Sequence, residues 1–246
     1  MGKVYISGRN QTKTVNPSNV QQTVTPDNGY NALNSVVVNP IAALMPANLE
    51  DFVMRKDTMP EFSLSLSGDV PDYACYYQKN LVAVYGTLTS IRTSAFQNCT
   101  NLQEIDCRAA TSIGNNAFQS CPNLQEIDCR AATSIGGYAF ESCPNLQEID
   151  CRAATSIGAA AFRNCTNLNL IDITNTSNAT LGSTTAIPNN ANLTILVADA
   201  TDKAHYQSAT NWSTHASKIK TVAEFERQIG MSYDDYYLQV FGHARN

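Results

Sequence analysis

The fourteen residues NLQEIDCRAATSIG occur three times in this 246-residue chain, beginning at Asn101, Asn123 and Asn145. Each copy is followed by a variant of xxAFxxC, which sets a period of 22 residues. Self-similarity at a fixed period of about 20–50 residues signals a solenoid, in which no unit buries its own apolar face and stacking does so. Within the first copy the apolar positions are Leu102, Ile105, Cys107, Ala110, Ile113, Ala117, Phe118 and Cys121. The in-out-in alternation of Ile105, Asp106 and Cys107 predicts a half-buried strand, repeated at Ile127-Asp128-Cys129 and Ile149-Asp150-Cys151. Identical registers stack, so a parallel sheet is expected along one side. Gly114, Gly136 and Gly158 end the SIG segments and are expected to use positive φ at a tight corner. The AFxxC segments are expected to return over the other side as a short helix or 3₁₀ turn.

The pattern xxIGxxAFxxCxxLxxI, here Ile135-Gly136, Ala139-Phe140, Cys143, Leu146 and Ile149, resembles the BspA-type leucine-rich repeats of bacterial surface proteins. The resemblance implies a curved leucine-rich-repeat solenoid with non-catalytic binding or adhesion as its role. Cys107, Cys129 and Cys151 depart from it, standing where many relatives carry an aliphatic residue. Looser turns flank the three copies. Upstream, Ala74-Cys75 leads to Leu81, Val84, Ile91, Ala95, Phe96 and Cys99, with Arg92 in the glycine slot and a different corner expected there. Downstream, Ala161-Phe162, Cys165, Leu168 and Ile171 precede a degenerate, longer turn at Leu181-Gly182, Ala186-Ile187 and Leu193. Leu193 to Val222 is similar to the terminal cap of the same family through Thr194-Ile195-Leu196-Val197, Tyr206, Ala209, Trp212 and Ile219, but lacks the proline relatives usually carry near Ala198. Trp212 is the single tryptophan, and its large apolar body suits plugging a solenoid end. The fold class expected is an α/β repeat: a leucine-rich-repeat solenoid over 71–222, between a small N-terminal β module with linker over 1–70 and a helical extension over 223–246.

The first seventy residues carry no such period. Short β-like runs stand at Val4-Tyr5-Ile6, Lys13-Thr14-Val15, Gln22-Thr23-Val24 and Val36-Val37-Val38, separated by turn makers such as Asn16-Pro17 and Asp27-Asn28-Gly29. A short helix is expected over Ala47–Lys56 and a linker around Ser63–Asp72. The wording Lys13-Thr14-Val15-x-Pro17, Gln22-Thr23-Val24-x-Pro26-Asp27, Gly29-Tyr30, Leu33, Val36-x-Val38 and Pro40-Ile41 resembles the N-terminal segments of phage and prophage structural proteins. That resemblance implies a tail or virion component with the repeats as spacer; the plainer alternative is a β cap on the first coil. At the other end, Val222–Ile229 predicts a helix stopped at Gly230. Ser232-Tyr233-Asp234-Asp235 starts a second helix ending near Gly242. Tyr233, Tyr237 and Phe241 recur at i, i+4 and i+8, giving an apolar stripe for packing against the cap or docking onto a partner.

Charged residues make up only 15% of the chain, the net charge is −5 and no basic patch exists, so nucleic acid is not an expected partner. No apolar run approaches the roughly 20 residues of a membrane span. The opening MGKVYISGRNQTKTV has no apolar h-region, so no secretory leader is visible. Retention until lysis, another export route or a leader missing from the sequence stay open, with the cell surface, the exterior or a virion as the expected location. Eight cysteines suggest disulfides by count. Their placement argues for two buried columns of reduced thiols instead: Cys99, Cys121, Cys143 and Cys165, then Cys107, Cys129 and Cys151. No C-x₂₋₄-C pair suggests zinc. His205, His215 and His243 sit in no nucleophile or metal motif, so neither enzyme activity nor a cofactor or metal is expected.

The outward positions of the strand face are charged and repeat in rows. Glu104, Asp106 and Arg108 form the first, Glu126, Asp128 and Arg130 the second, and Glu148, Asp150 and Arg152 the third, with Asp172 extending one row. Carboxylates stacked at the ~4.8 Å spacing of neighbouring strands repel by roughly 1 kcal/mol per pair in water, which the arginine column offsets in part. Two readings stand: a solvated ladder that discourages aggregation, and a repetitive site for a polyvalent basic ligand or Ca²⁺, strengthened by avidity. The repeats differ mainly at the corner and return side, where Tyr138 is the one aromatic able to anchor a selective contact with a protein or glycan partner.

Overall fold

The computed structural model describes residues 22–24, 33–39, 61–176 and 178–245. Strands β1 (Gln22–Val24) and β2 (Leu33–Asn39) pair antiparallel, and β2 pairs antiparallel with β3 (Phe62–Val70). They coincide with two of the expected N-terminal runs. Val4-Tyr5-Ile6, Lys13-Thr14-Val15 and the helix expected over Ala47–Lys56 lie outside the described residues. Strand β3 replaces the linker expected around Ser63–Asp72. Leu64, Leu66 and Val70 are buried and the intervening Ser63, Ser65 and Ser67 are half-buried. This is a period-2 pattern that serine content disguised as a linker.

The coils follow: β4 (Leu81–Tyr85), β5 (Leu88–Ile91), β6 (Glu104–Ile105), β7 (Ser112–Ile113), β8 (Glu126–Asp128), β9 (Ser134–Ile135), β10 (Glu148–Asp150), β11 (Ser156–Ile157), β12 (Leu170–Asp172) and β13 (Thr180–Leu181). After them come β14 (Thr194–Val197) and β15 (Ile219–Thr221). Each full coil contributes a Glu-Ile-Asp type strand and a Ser-Ile type strand, so the stack has two parallel sheets where one was expected. The first runs β8-β10-β12-β14-β15, with Ile127, Ile149, Ile171 and Ile195 in register. The second runs β5-β7-β9-β11-β13 and joins β3, β2 and β1 at its near edge.

Between the sheets lies one continuous core. Phe96, Phe118, Phe140 and Phe162 stack with ring centroids 5.5, 5.2 and 5.5 Å apart and planes within 9° of parallel. All eight cysteines are buried and free. The outer thiol column donates to carbonyls of the preceding coil, as from Cys121 Sγ to Phe96 O at 3.1 Å and Cys143 Sγ to Phe118 O at 3.1 Å. Each thiol of that column, Cys99, Cys121, Cys143 and Cys165, thus fills an aliphatic slot while satisfying a backbone acceptor.

Two corner expectations are corrected. The SIG glycines are not at positive φ; a Cβ on Gly114, Gly136 or Gly158 would stand 2.4–2.6 Å from the backbone of the preceding coil. Close approach, rather than handedness, excludes a side chain there. The left-handed residues are those two positions later, Asn116, Tyr138 and Ala160 (φ 57, 59 and 55°), and again Ser120, Ser142 and Asn164 (φ 60, 59 and 64°). These paired reversals make AFxxC a run of successive turns instead of a helix. Arg92 does not alter its corner, because Ser94 and Asn98 carry the same positive φ (55 and 62°).

The far end is sealed by α1 (Ala200–Ser208), capped by Asp199, whose Oδ1 accepts from Thr201 N at 2.7 Å. Tyr206 and Trp212 are fully buried over the last coil, with Trp212 Nε1 donating to Ala179 O at 2.7 Å and Tyr206 Oη to Thr176 O at 2.8 Å. α2 (Val222–Ile229) opens on a Thr221/Glu224 capping box and stops at left-handed Gly230; α3 (Tyr233–Phe241) opens on Ser232 and stops at left-handed Gly242. Both helices therefore begin and end where the sequence places their caps.

Candidate functional site

The charged rows are built by one local device. Asp106, Asp128, Asp150 and Asp172 each end or follow a short strand and accept from the backbone N–H two residues on, at 3.1, 3.0, 3.0 and 2.8 Å. That Asx turn reverses the chain after the strand. The intervening cysteine or isoleucine points inward, which puts the next residue back on the aspartate's face. In the first three rows that residue is arginine, and its fork returns to the same carboxylate: Nη2 to Oδ2 is 2.7 Å at Arg108–Asp106, 2.7 Å at Arg130–Asp128 and 2.5 Å at Arg152–Asp150. Every aspartate of these rows is thus neutralised within its own coil, and the expected inter-row repulsion is offset by bidentate pairs. Row four has Thr174 in the arginine position. Burial, and then the Asp150 carboxylate beside it, raise the pKa of Asp172.

The C-terminal helix lies across this ladder. Tyr233 Oη donates to Asp172 Oδ2 at 2.8 Å, and Tyr236 Oη to Glu148 Oε1 at 2.5 Å. Tyr237 Oη stands 2.7 Å from Asp150 Oδ2, 3.0 Å from Asp128 Oδ2 and 2.8 Å from Arg130 Nη2. A phenol has one hydrogen; it goes to the nearer Asp150, while the oxygen accepts from Arg130. The Arg152 and Arg130 guanidinium carbons lie 4.9 and 5.4 Å from the Tyr237 ring centre. Behind the helix, Arg152 Nη1 donates to Arg245 O at 2.9 Å and Arg130 Nη1 to the same oxygen at 3.1 Å. His243 Nε2 lies 3.0 Å from Asp128 Oδ2. Arg245 sits over the Tyr233 ring and reaches Thr174 Oγ1 at 2.5 Å, serving the row that lacks its own arginine.

This arrangement corrects the picture of a uniformly solvated face. Asp128, Glu148, Asp150 and Arg152 are buried under the helix and tail, whereas Glu104, Arg108 and Glu126 are exposed and Asp106 is half-buried. The helix ends one row short. What remains open is a cleft of about 470 Å³ bordered by Glu104, Asp106, Arg108, Glu126, Phe241 and His243. Glu104 accepts there from Tyr85 Oη at 3.1 Å. The cleft offers carboxylates and one guanidinium to a cationic or hydrogen-bonding ligand. Among the described residues, no group of three or more His, Cys, Asp or Glu side chains is placed to hold a metal ion. Tyr138 stands apart, on the return edge, where the Arg163 guanidinium covers its ring at 5.3 Å. The tyrosine stripe was legible as apolar. That its hydroxyls address the buried aspartates was not, although a buried carboxylate needs donors beyond one arginine.

The glutamate column has no arginines. Burial raises the pKa of Glu126, and it pushes Glu148 up to about 6, with the Tyr236 hydrogen bond opposing and Glu126 reinforcing the shift. Glu148 Oε2 has no hydrogen-bond partner. A carboxyl group whose folded pKa lies above its unfolded value near 4.3 contributes stability that is complete below that value and is lost as pH rises through the folded one. The wild-type chain is therefore expected to lose about 2 kcal/mol between pH 4 and pH 8 relative to a Glu148→Gln chain. Urea unfolding of both at each pH measures this, and parallel profiles would contradict it.

A family model described as the BspA type leucine-rich repeat region, in 6 copies, matches residues 69–194. The match begins beyond the segment that resembles phage structural proteins, and no comparison supports that resemblance. No curated protein matches the chain. Solved chains that match include a leucine-rich repeat protein from Bacteroides ovatus, 19% identical over 53% of this chain and 37% of that one, with a TM-score of 0.35. Another is the pneumococcal vaccine antigen PcpA, 14% identical over 79% of this chain and 47% of that one, with a TM-score of 0.49. The chain thus spans less than half the length of either. No helix among the described residues is long and apolar enough to cross a membrane.

Proposed function

We propose, from the premise that this chain belongs to the BspA-type leucine-rich repeat family, that it is a non-enzymatic recognition or adhesion module. It meets a protein or glycan partner through the open end of its strand face, outside or on the surface of a bacterial cell. The observation that carries this reading is the cleft at rows one and two. The repeat presents there the same Glu-Asp-Arg set that it covers elsewhere with its own helix. The thiols argue against catalysis by cysteine. All eight are buried, and burial pushes Cys75 and Cys165 up to about 12, whereas a nucleophilic cysteine needs its thiolate.

The test exposes the purified chain to host cells, a glycan array and lysate proteins, then repeats it with Glu104→Lys/Asp106→Lys. Reversal is expected to weaken capture by about tenfold or more while lowering the thermal midpoint by no more than a few degrees, since the Asp106–Arg108 pair that it breaks is part-exposed. Undiminished capture would move the site off this face. Loss on Tyr138→Ala alone would assign it to the return edge.

A further inference from the structure

The contact between the C-terminal segment and the repeats has an apolar and a polar component. One face of the helix packs on apolar side chains: Tyr233 and Tyr237 share a buried cluster with Phe225, Leu170 and Leu196. Leu170 and Leu196 belong to the last two coils, whose sequences are not copies of the repeat. Phe241 packs against the same cluster, but the polar groups of the segment face the ladder. On the ladder, the hydroxyl of Tyr237, the imidazole of His243 and the carbonyl of Arg245 are partnered by Asp128, Asp150, Arg130 and Arg152. Those four side chains stand in rows two and three, and identical residues occupy row one, where the helix does not reach. The ladder is therefore not shaped for this one segment. Each row offers the same pair of sites: an aspartate oxygen for a hydroxyl or N–H donor, and a guanidinium edge for a backbone carbonyl.

We propose that the aspartate–arginine ladder is a peptide-binding register whose resident occupant is the segment from Tyr237 to Arg245, and that a tyrosine-bearing segment of a partner protein displaces it. The inference rests on the recognition reading above and narrows the partner from protein or glycan to polypeptide, because the two covered arginines spend their outer N–H groups on main-chain carbonyls. Two buried polar atoms without partners, Glu148 Oε2 and Arg245 Nε, lie in this same interface. An incompletely satisfied contact is one that a better-matched segment improves upon.

The probe is a fluorescein-labelled synthetic peptide of residues 231–246, titrated into the full chain. The tethered segment competes at an effective concentration of about millimolar, so the wild-type chain is expected to bind the peptide weakly. A Tyr237→Phe chain, whose own segment has lost a charge-assisted hydrogen bond, is expected to bind it about tenfold or more tightly. The same peptide carrying Phe at position 237 is expected to lose that gain. Excess peptide is also expected to release hydrogen-exchange protection at 237–245 while β8, β10 and β12 stay protected. Absence of peptide binding to the Tyr237→Phe chain, or equal binding to both chains, overturns the proposal. Because no external partner enters this titration, its outcome is separable from that of the row-one reversal.

Discussion

A Phe140→Ala chain is expected to lose about 3–5 kcal/mol of unfolding free energy. Phe140 is fully buried, with the Phe118 ring 5.2 Å away on one side and Phe162 5.5 Å away on the other. Collapse onto the vacancy is blocked by the backbone. Phe118 N donates to Ala139 O at 2.7 Å and Phe140 N to Ala161 O at 2.8 Å, and these bonds hold neighbouring coils at fixed spacing. The removed ring therefore leaves a void whose lining loses its contacts outright. Because a solenoid is stabilised by nearest-neighbour interfaces, the loss falls on the middle of the stack and should also broaden the transition. Urea denaturation followed by far-UV circular dichroism measures both. A loss below about 1 kcal/mol would mean that the coils close up after all.

Asp150→Ala is expected to cost a similar amount, about 3–5 kcal/mol, because removal of one member of a buried pair strands the other charge. Asp150 is fully buried and Arg152 nearly so. The carboxylate accepts from Arg152 Nε, Arg152 Nη2, Arg152 N and Tyr237 Oη, so its loss leaves four donors to rearrange. Arg152→Ala in the same chain is expected to recover part of the loss, with a coupling of about 1–3 kcal/mol in a double-mutant cycle. Asp106→Ala supplies the contrast. Its sequence surroundings are the same, but the pair with Arg108 is part-exposed, with side chains 31 and 49% accessible, and such a pair is worth about 1 kcal/mol or less. One motif thus has different energetics according to what lies over it.

That contrast marks where the sequence was informative and where it was not. Coil period, inward phenylalanines and thiols, and the caps of α2 and α3 were legible because each follows from a local pattern: spacing, residue volume or capping chemistry. The corner glycines were assigned to the right place for the wrong reason. Neighbouring coils crowd them, and crowding between coils leaves no mark within one copy. Strand β3 was missed because alternating serines mimic linker composition. For the site, the rows were found as rows, yet their burial was not foreseen. Identical text in three copies gives no sign that Tyr236 and Tyr237, 87 to 109 residues away, cover two of the three.

The helix is fastened to the last coils, and the coils ahead of it are copies of one another. A further 22-residue copy inserted between Asn101 and Asn145 would meet the same neighbours above and below, so it would demand no new junction. It would leave Tyr233 on Asp172, push the N-terminal strands outward by one strand spacing, about 4.8 Å, and add one uncovered charged row. The length of the stack and the number of uncovered charged rows are therefore set by copy number, and duplication or loss of a single unit changes both without rebuilding either end.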